Sequence, residues 1–198
     1  MKSNTLVLGA AGTFGSGKDT VGEYLAENYG FFHVSTSDTL RAESQRRHNS
    51  IERAFLLDTG NDLRRQRGGG VLAEMALEKY KTVAADHPSG VVISAIRTIG
   101  EVNFIKSQGG LVIFTDAPAK LRYQRIIDRK RDKNETTFSF KEFQQSEEKE
   151  LAGSDNDAKP NILGIKEIAD YHLDNSGSLE DFHKQIEDVV TTLRREVQ

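Results

Sequence analysis

Gly12-Thr13-Phe14-Gly15-Ser16-Gly17-Lys18 is the stretch on which the reading of this chain turns. It is a G-x-x-x-x-G-K run. A short apolar stretch, Thr5 to Leu8, precedes it and reads as a buried strand entering a glycine-rich loop at Gly9. After it, Val21, Tyr24, Leu25 and Asn28 fall at helical spacing, so a helix is expected from Lys18 to Tyr29, stopped by Gly30. A strand, a glycine loop and a helix in that order form a phosphate cradle. The glycines let backbone N–H groups converge on a phosphate chain. The start of the helix adds the positive end of its dipole, and Lys18 adds a full charge. The candidate phosphate-binding residues are Gly12, Thr13, Phe14, Gly15, Ser16, Gly17, Lys18, Asp19 and Thr20.

Outward from this loop, short apolar runs alternate with longer amphipathic ones. Strands are expected at Phe31–Ser35, Gly90–Ile96, Leu111–Phe114 and Tyr171–Leu173. Helices are expected from about Thr36 to Arg47, from Ile51 to about Leu57, over Val71–Tyr80, around Val102–Ile105, after Pro118, over Phe140–Leu151 and from Ser178 to about Arg195. Asn61 to Arg67 reads as a basic segment broken by Gly68-Gly69-Gly70, and Gly153 to Gly164 as a loop. This alternation predicts an α/β fold with a parallel sheet covered on both faces. Ligands of such sheets bind beyond the carboxyl ends of the strands, where each motif of this chain falls.

Two of those ends carry anion-binding types. Ser35-Thr36-Ser37-Asp38-Thr39-Leu40-Arg41 places a helix N-terminus and an arginine one turn inside it after the second strand. Ser94-Ala95-Ile96-Arg97 places another arginine after the third. Further on, Arg122, Arg125 and Arg129 share one helix face, with Lys130, Arg131 and Lys133 close behind. The polar, turn-like residues 132–139 follow. Such a basic group can surround a transferring phosphoryl group when a loop closes. His33 and His172 flank strands and read as structural.

The loop reads further as G-x-x-G-x-G-K-x-T, ending Gly17-Lys18-Asp19-Thr20, and so resembles the P-loop nucleoside and deoxynucleoside monophosphate kinases, phage enzymes in particular. The segment Ser35 to Arg41 is similar to the Ser-Thr-x-Asp-x-Leu-Arg segment of adenylate kinase. Arg125, Arg129, Arg131 and Asp132 resemble that superfamily's arginine lid, and Ala169 to Glu180 the closing strand and helix of dephospho-coenzyme A kinase. Asn61-Asp62-Leu63-Arg64 with Gly68, Ala73, Ile96-Arg97-Thr98 and Glu101 resembles an archaeal adenylate-kinase-like family of uncertain substrate.

The resemblance implies a three-layer αβα P-loop sandwich in one domain, residues 1–198. It would carry an acceptor-binding helical insert at about 36–85 and a lid at about 129–140. It implies ATP as co-substrate and Mg2+, with Thr20 as the metal-side hydroxyl. It implies catalytic roles for Lys18, Arg97, Arg125, Arg129 and Arg131, and acceptor binding by Ser35, Thr36, Asp38, Arg41, Arg64 and Arg97. Where adenylate kinase has an Asp that orients the waters of magnesium, this chain has Ser94, which carries no charge; Asp38 and Asp116 are the substitutes to consider. The expected reaction moves the γ-phosphoryl group of ATP to a nucleoside or deoxynucleoside monophosphate. The alternatives are a dephospho-coenzyme A kinase-like enzyme and a nucleotide-binding regulatory protein with slow ATP hydrolysis.

Composition narrows the classes. The 198 residues contain no cysteine, which excludes a disulfide framework, a thiolate metal site and a cysteine nucleophile. Lys and Arg number 27 against 30 Asp and Glu, a net −3, which argues against a nucleic-acid partner. No apolar run approaches the ~20 residues that cross a bilayer. A cytoplasmic protein, monomeric or homodimeric, is expected.

Overall fold

The computed structural model describes residues 5–129, 139–151 and 156–196. Five strands form one parallel sheet: β1 (Leu6–Gly12), β2 (Phe32–Ser35), β3 (Gly90–Ile96), β4 (Leu111–Asp116) and β5 (Tyr171–Asp174), in the order β2-β3-β1-β4-β5. β1 lies at the centre, so the glycine loop leaves the middle of the sheet. The strand runs past its expected end at Leu8 to Gly12. Gly9 belongs to the strand, paired with Ile93 and Val112, and a Cβ there would lie 2.9 Å from Ile105 and 3.1 Å from Val112. Its missing side chain lets the neighbours close over the sheet.

Alternate strand residues enter two cores, as a sheet covered on both faces requires. Leu8, Val92 and Ile113 meet α1 (Lys18–Tyr29) through Val21 and Leu25, and α9 (Leu179–Glu196) through Phe182, Ile186 and Val190. On the other face, Val91, Ile93, Val112 and Phe114 meet α4 (Val71–Lys81), α5 (Ile99–Ser107) and α8 (Ile162–Ile168). These are the three layers of an αβα sandwich.

Between β2 and β3 the chain makes α2 (Thr36–His48), α3 (Arg53–Arg67) and α4. The expected short helix and separate basic segment are one helix, α3. Thr59, Gly60 and Leu63 are buried along it, and Leu63 packs with Val71 and Leu72 of α4 and with Leu40 of α2. Tertiary packing carries the helix through a glycine that weakens it locally. The segment expected as a loop to Gly164 contains the start of α8. Asn161 caps it by accepting from Gly164 N–H at 2.9 Å, and Ile162 and Ile165 enter the core. α6 (Ala119–Arg129) and α7 (Phe140–Leu151) complete the chain order, and the cap at Ser178 stands as expected. Most of the expected lid, residues 130–138, lies outside the described residues.

Candidate functional site

The loop after β1 has left-handed φ at Gly15 (80°) and Gly17 (103°), where side chains are disfavoured. Space is scarce as well: a Cβ on Gly15 would lie 2.8 Å from the Arg122 carbonyl, and one on Gly17 would run into the Asn175 amide. Four side chains brace the loop from outside it. Ser16 Oγ bonds Thr115 Oγ1 at 2.7 Å. Thr13 donates to Asp116 at 3.1 Å. Asn175 Nδ2 donates to the Ser16 carbonyl at 2.9 Å.

The fourth brace corrects the sequence reading. Arg122 shares no solvent-facing basic surface; it is 5% exposed. Its guanidinium forks onto the Glu147 carboxylate of α7, with Nη2 to Oε2 at 3.0 Å, and its other donors reach the Phe14 and Ala117 carbonyls. Phe14 stacks on Phe143, with ring centroids 6.4 Å apart. The loop tip is thus tied to the arm that leads away from the expected lid.

Lys18, 8% exposed, begins α1 and lines a cleft of about 450 Å3 with Asp19, His33, Ser35, Asp38, Arg41 and Arg97. A second cavity of about 260 Å3 opens beside it. Its wall is apolar at Leu40, Leu56, Leu57 and Leu72 and cationic at Arg53 and Arg64. Ser37, Arg41, Ala95 and Arg97 line both. The sequence-predicted residues of the two sides therefore meet at Arg41 and Arg97.

Each side chain has a local reason for its place. Ser35, the last residue of β2, caps α2 by accepting from Ser37 N–H at 3.1 Å, and the helix starts at Thr36 as expected. Thr36 donates to the Ala95 carbonyl at 2.8 Å, which ties α2 to β3. Ala95 itself has φ 62°, and the β1–β3 register shifts beside it. A non-glycine residue there costs roughly 1–2 kcal/mol. This bulge sets the direction in which β3 delivers Arg97. Glu101, fully buried, accepts from the Arg97 and Thr98 N–H groups in a capping box. Burial pushes its carboxyl up, against the pull of those N–H groups and of Arg64 and Arg97. Arg64 Nε is buried without a partner among the described residues.

Asp38 pairs with Arg41 at 2.7 Å, and both are largely exposed. Asp116 does not line the cleft; it receives Thr13, Ala117 N–H and Lys166 and so serves the loop's bracing. Arg125 Nη2 reaches Asn175 Oδ1 at 3.2 Å, beside the loop, and its Nη1 is buried without a partner among the described residues. Arg129 is exposed at the end of α6, and Arg131 lies outside the described residues. Thr20 is half-buried in the first turn of α1.

Asn175 is a site residue to which the sequence assigns no role, and Arg122 is one that it places on a basic helix face and that the fold turns inward. Asn175 has a signal, since it follows a strand at the sheet's ligand-binding edge. His33 is not a detached structural histidine. Its Nε2 lies 2.9 Å from Ser94 Oγ, and Ser94 donates to Asp19 at 3.0 Å, so the chain His33–Ser94–Asp19 opens on the cleft. Burial lowers the affinity of the His33 imidazole for a proton. Among the described residues, no group of three or more His, Cys, Asp or Glu could hold a metal ion by itself, and no helix is long and apolar enough to cross a membrane.

Residues 11–139 match the family model described as AAA domain. A UPF0200 protein of Pyrobaculum aerophilum is 31% identical, over 95% of this chain and 98% of that protein. A UPF0200/UPF0201 protein of Archaeoglobus fulgidus is 27% identical over 92% of this chain, which spans 54% of that protein's length. The crystal structure of shikimate kinase from Bacteroides thetaiotaomicron superposes with a TM-score of 0.54 at 15% identity, covering 96% of this chain and 98% of that one. The fold is that of the P-loop kinases, and the chain belongs to the AAA domain family and to that of the UPF0200 proteins.

Proposed function

We propose that this protein is a magnesium-dependent phosphotransferase that moves the γ-phosphoryl group of ATP to a small phosphorylated acceptor, a nucleoside or deoxynucleoside monophosphate. The observation that carries this reading is the junction of two cavities at Arg41 and Arg97. One holds Lys18, the other Arg64 and an apolar wall suited to a base. Phosphoryl transfer asks the protein chiefly for position and charge, and this arrangement supplies both at the meeting point.

Lys18 and the loop N–H groups hold the β- and γ-phosphates. Arg41 and Arg97 grip the acceptor phosphate, with Ser35, Thr36 and Asp38 shaping the helix end beside it and Arg64 deeper in the pocket. Arg125, Arg129 and Arg131 stabilise the spreading charge in the closed state. The oxygen donors at the start of α1, Thr20 and Asp19, suit a hard cation. Held by these residues with the nucleotide, such a cation would neutralise phosphate charge. No nucleic-acid or membrane partner is proposed.

A hydroxyl acceptor, as in dephospho-coenzyme A kinase, is the second reading. It is favoured by the carboxylates of Asp19, Glu23 and Asp38 in the donor cleft, which a doubly charged acceptor phosphate would have to tolerate. An acceptor screen decides between them. ADP release is followed with each nucleoside and deoxynucleoside monophosphate and with dephospho-coenzyme A. Stimulation by a monophosphate is expected; ADP release that no acceptor raises would leave a slow ATPase instead.

A further inference from the structure

A phosphate loop ordinarily places Ser or Thr after its lysine, and that hydroxyl reaches the cation; a carboxylate at a strand end completes the pair. This chain departs at both places. The residue after Lys18 is Asp19, and the strand end carries Ser94. Read separately, the loop carries a carboxylate where that hydroxyl ordinarily stands, with Thr20 one place later, and the strand end has lost its charge. In the folded molecule the two residues are bonded to each other, Ser94 Oγ donating to Asp19 Oδ1 at 3.0 Å.

We propose that the carboxylate and the hydroxyl have exchanged places: Asp19 supplies the cation-side carboxylate from α1, and Ser94 positions it from β3. The pair is kept with its direction reversed. This proposal rests on the phosphotransferase reading and names how that site holds its cation.

Three features show that the pair is built. Ser94 is fully buried, and its hydroxyl proton is spent on Asp19. His33 Nε2, at 2.9 Å, is therefore the donor to the remaining lone pairs of Ser94, which fixes the hydroxyl from two sides. α1 makes room for this histidine: a Cβ on Gly22 would run into the His33 ring. Directly after Ser94 the strand breaks register at Ala95, so Ser94 marks the last regular rung of β3 beside β1. A carboxylate in the first turn whose only task were to complement the helix dipole would need none of this. Asp19 also lines the same cleft as Lys18 and Arg97, where the phosphates would lie.

The test uses calorimetry of ATP binding to the full chain, with Mg2+ or with EDTA. Wild-type protein should bind ATP more tightly with Mg2+. Asp19→Asn should lose about tenfold or more of that gain, a usual loss for a disturbed cation site, while binding metal-free ATP as well as or better than wild type, because a negative charge has left the phosphates. Asp19→Ser should behave alike, and the double variant Asp19→Ser/Ser94→Asp, which restores the ordinary order, should recover most of the gain. Ser94→Ala, a smaller change at a buried site, should lose part of the magnesium gain and leave metal-free binding intact.

Retention of the full gain by Asp19→Asn would overturn the exchange, as would equal weakening with and without Mg2+, the sign of a purely structural residue. Wild-type binding of ATP without any magnesium gain would overturn the exchange and leave the donor site standing. Wild-type protein that binds no ATP under either condition would overturn the phosphotransferase reading itself.

Discussion

The two sides of the candidate site are built in different ways. The donor loop is held by four side chains from three places: Thr115 and Asp116 at the end of the neighbouring strand, Arg122 with its Glu147 partner, and Asn175 beyond β5. The acceptor side rests on α2 and α3, joined through surface charges such as Arg47–Asp62 at 2.7 Å, with Arg41–Asp38 along α2. Ile51, Phe55 and Leu57 stand exposed there, and Leu63, Val71 and Leu72 form a small core of their own. The difference teaches that the donor cradle is preorganised, whereas the acceptor helices keep the freedom to adjust to what they bind.

Substitutions can break this contrast. Lys18→Ala should lower kcat by on the order of a thousandfold, the loss of one charge-stabilising donor in a preorganised site, with the circular dichroism spectrum unchanged. Near-normal turnover in the folded variant would remove Lys18 from the reaction. Arg122→Ala should destabilise the fold by about 3 kcal/mol, because it strands the Glu147 carboxylate beside a buried gap. Thermal unfolding should show a fall in Tm of roughly 6–12 °C. An unchanged Tm would mean that the loop is not held from the α7 side.

Arg97→Ala should raise the acceptor KM on the order of tenfold to a hundredfold, matching a charge-assisted phosphate contact of about 1.5–3 kcal/mol, and should raise the ATP KM less. The reverse ordering would move Arg97 to the donor side. The smallest effect concerns the acceptor helices alone. Arg46, then Arg47, hold the Glu43 carboxyl down to about 2 from 4.5, against the opposing effect of its burial. A depressed carboxyl contributes stability above its unfolded pKa and loses it as pH falls. The wild type should therefore lose stability between about pH 4.5 and 2 to an extent that Glu43→Gln does not. Parallel acid-unfolding curves for the two would show that this surface network is energetically idle.

Much of the fold is legible in the sequence because its signals are local. The glycine loop, the apolar strands and the caps at Gly30 and Ser178 each lie within a few residues of what they determine. α3 departs from its local reading because the packing of Leu63 against distant residues carries the helix through Gly60, and α8 because two buried isoleucines are too few to show a period. The site is legible where residue type alone suggests charge, as at Lys18, Arg41 and Arg97. It is illegible where a role depends on a partner far along the chain. In sequence, Arg122 resembles its exposed neighbours; folding alone brings Glu147 to it. Asp19 and Ser94, 75 residues apart in sequence, each look like a defect until the fold bonds them.

The wall shared by the two cavities has a thermodynamic consequence. Ser37, Arg41, Ala95 and Arg97 face both chambers, so an anion in either one alters the potential felt in the other. Occupancy of the two chambers is then linked, and linkage is symmetrical: whatever factor one ligand imposes on the affinity for the second, the second imposes on the first. Free phosphate, small enough to sit against Arg97 from either side, should compete with both.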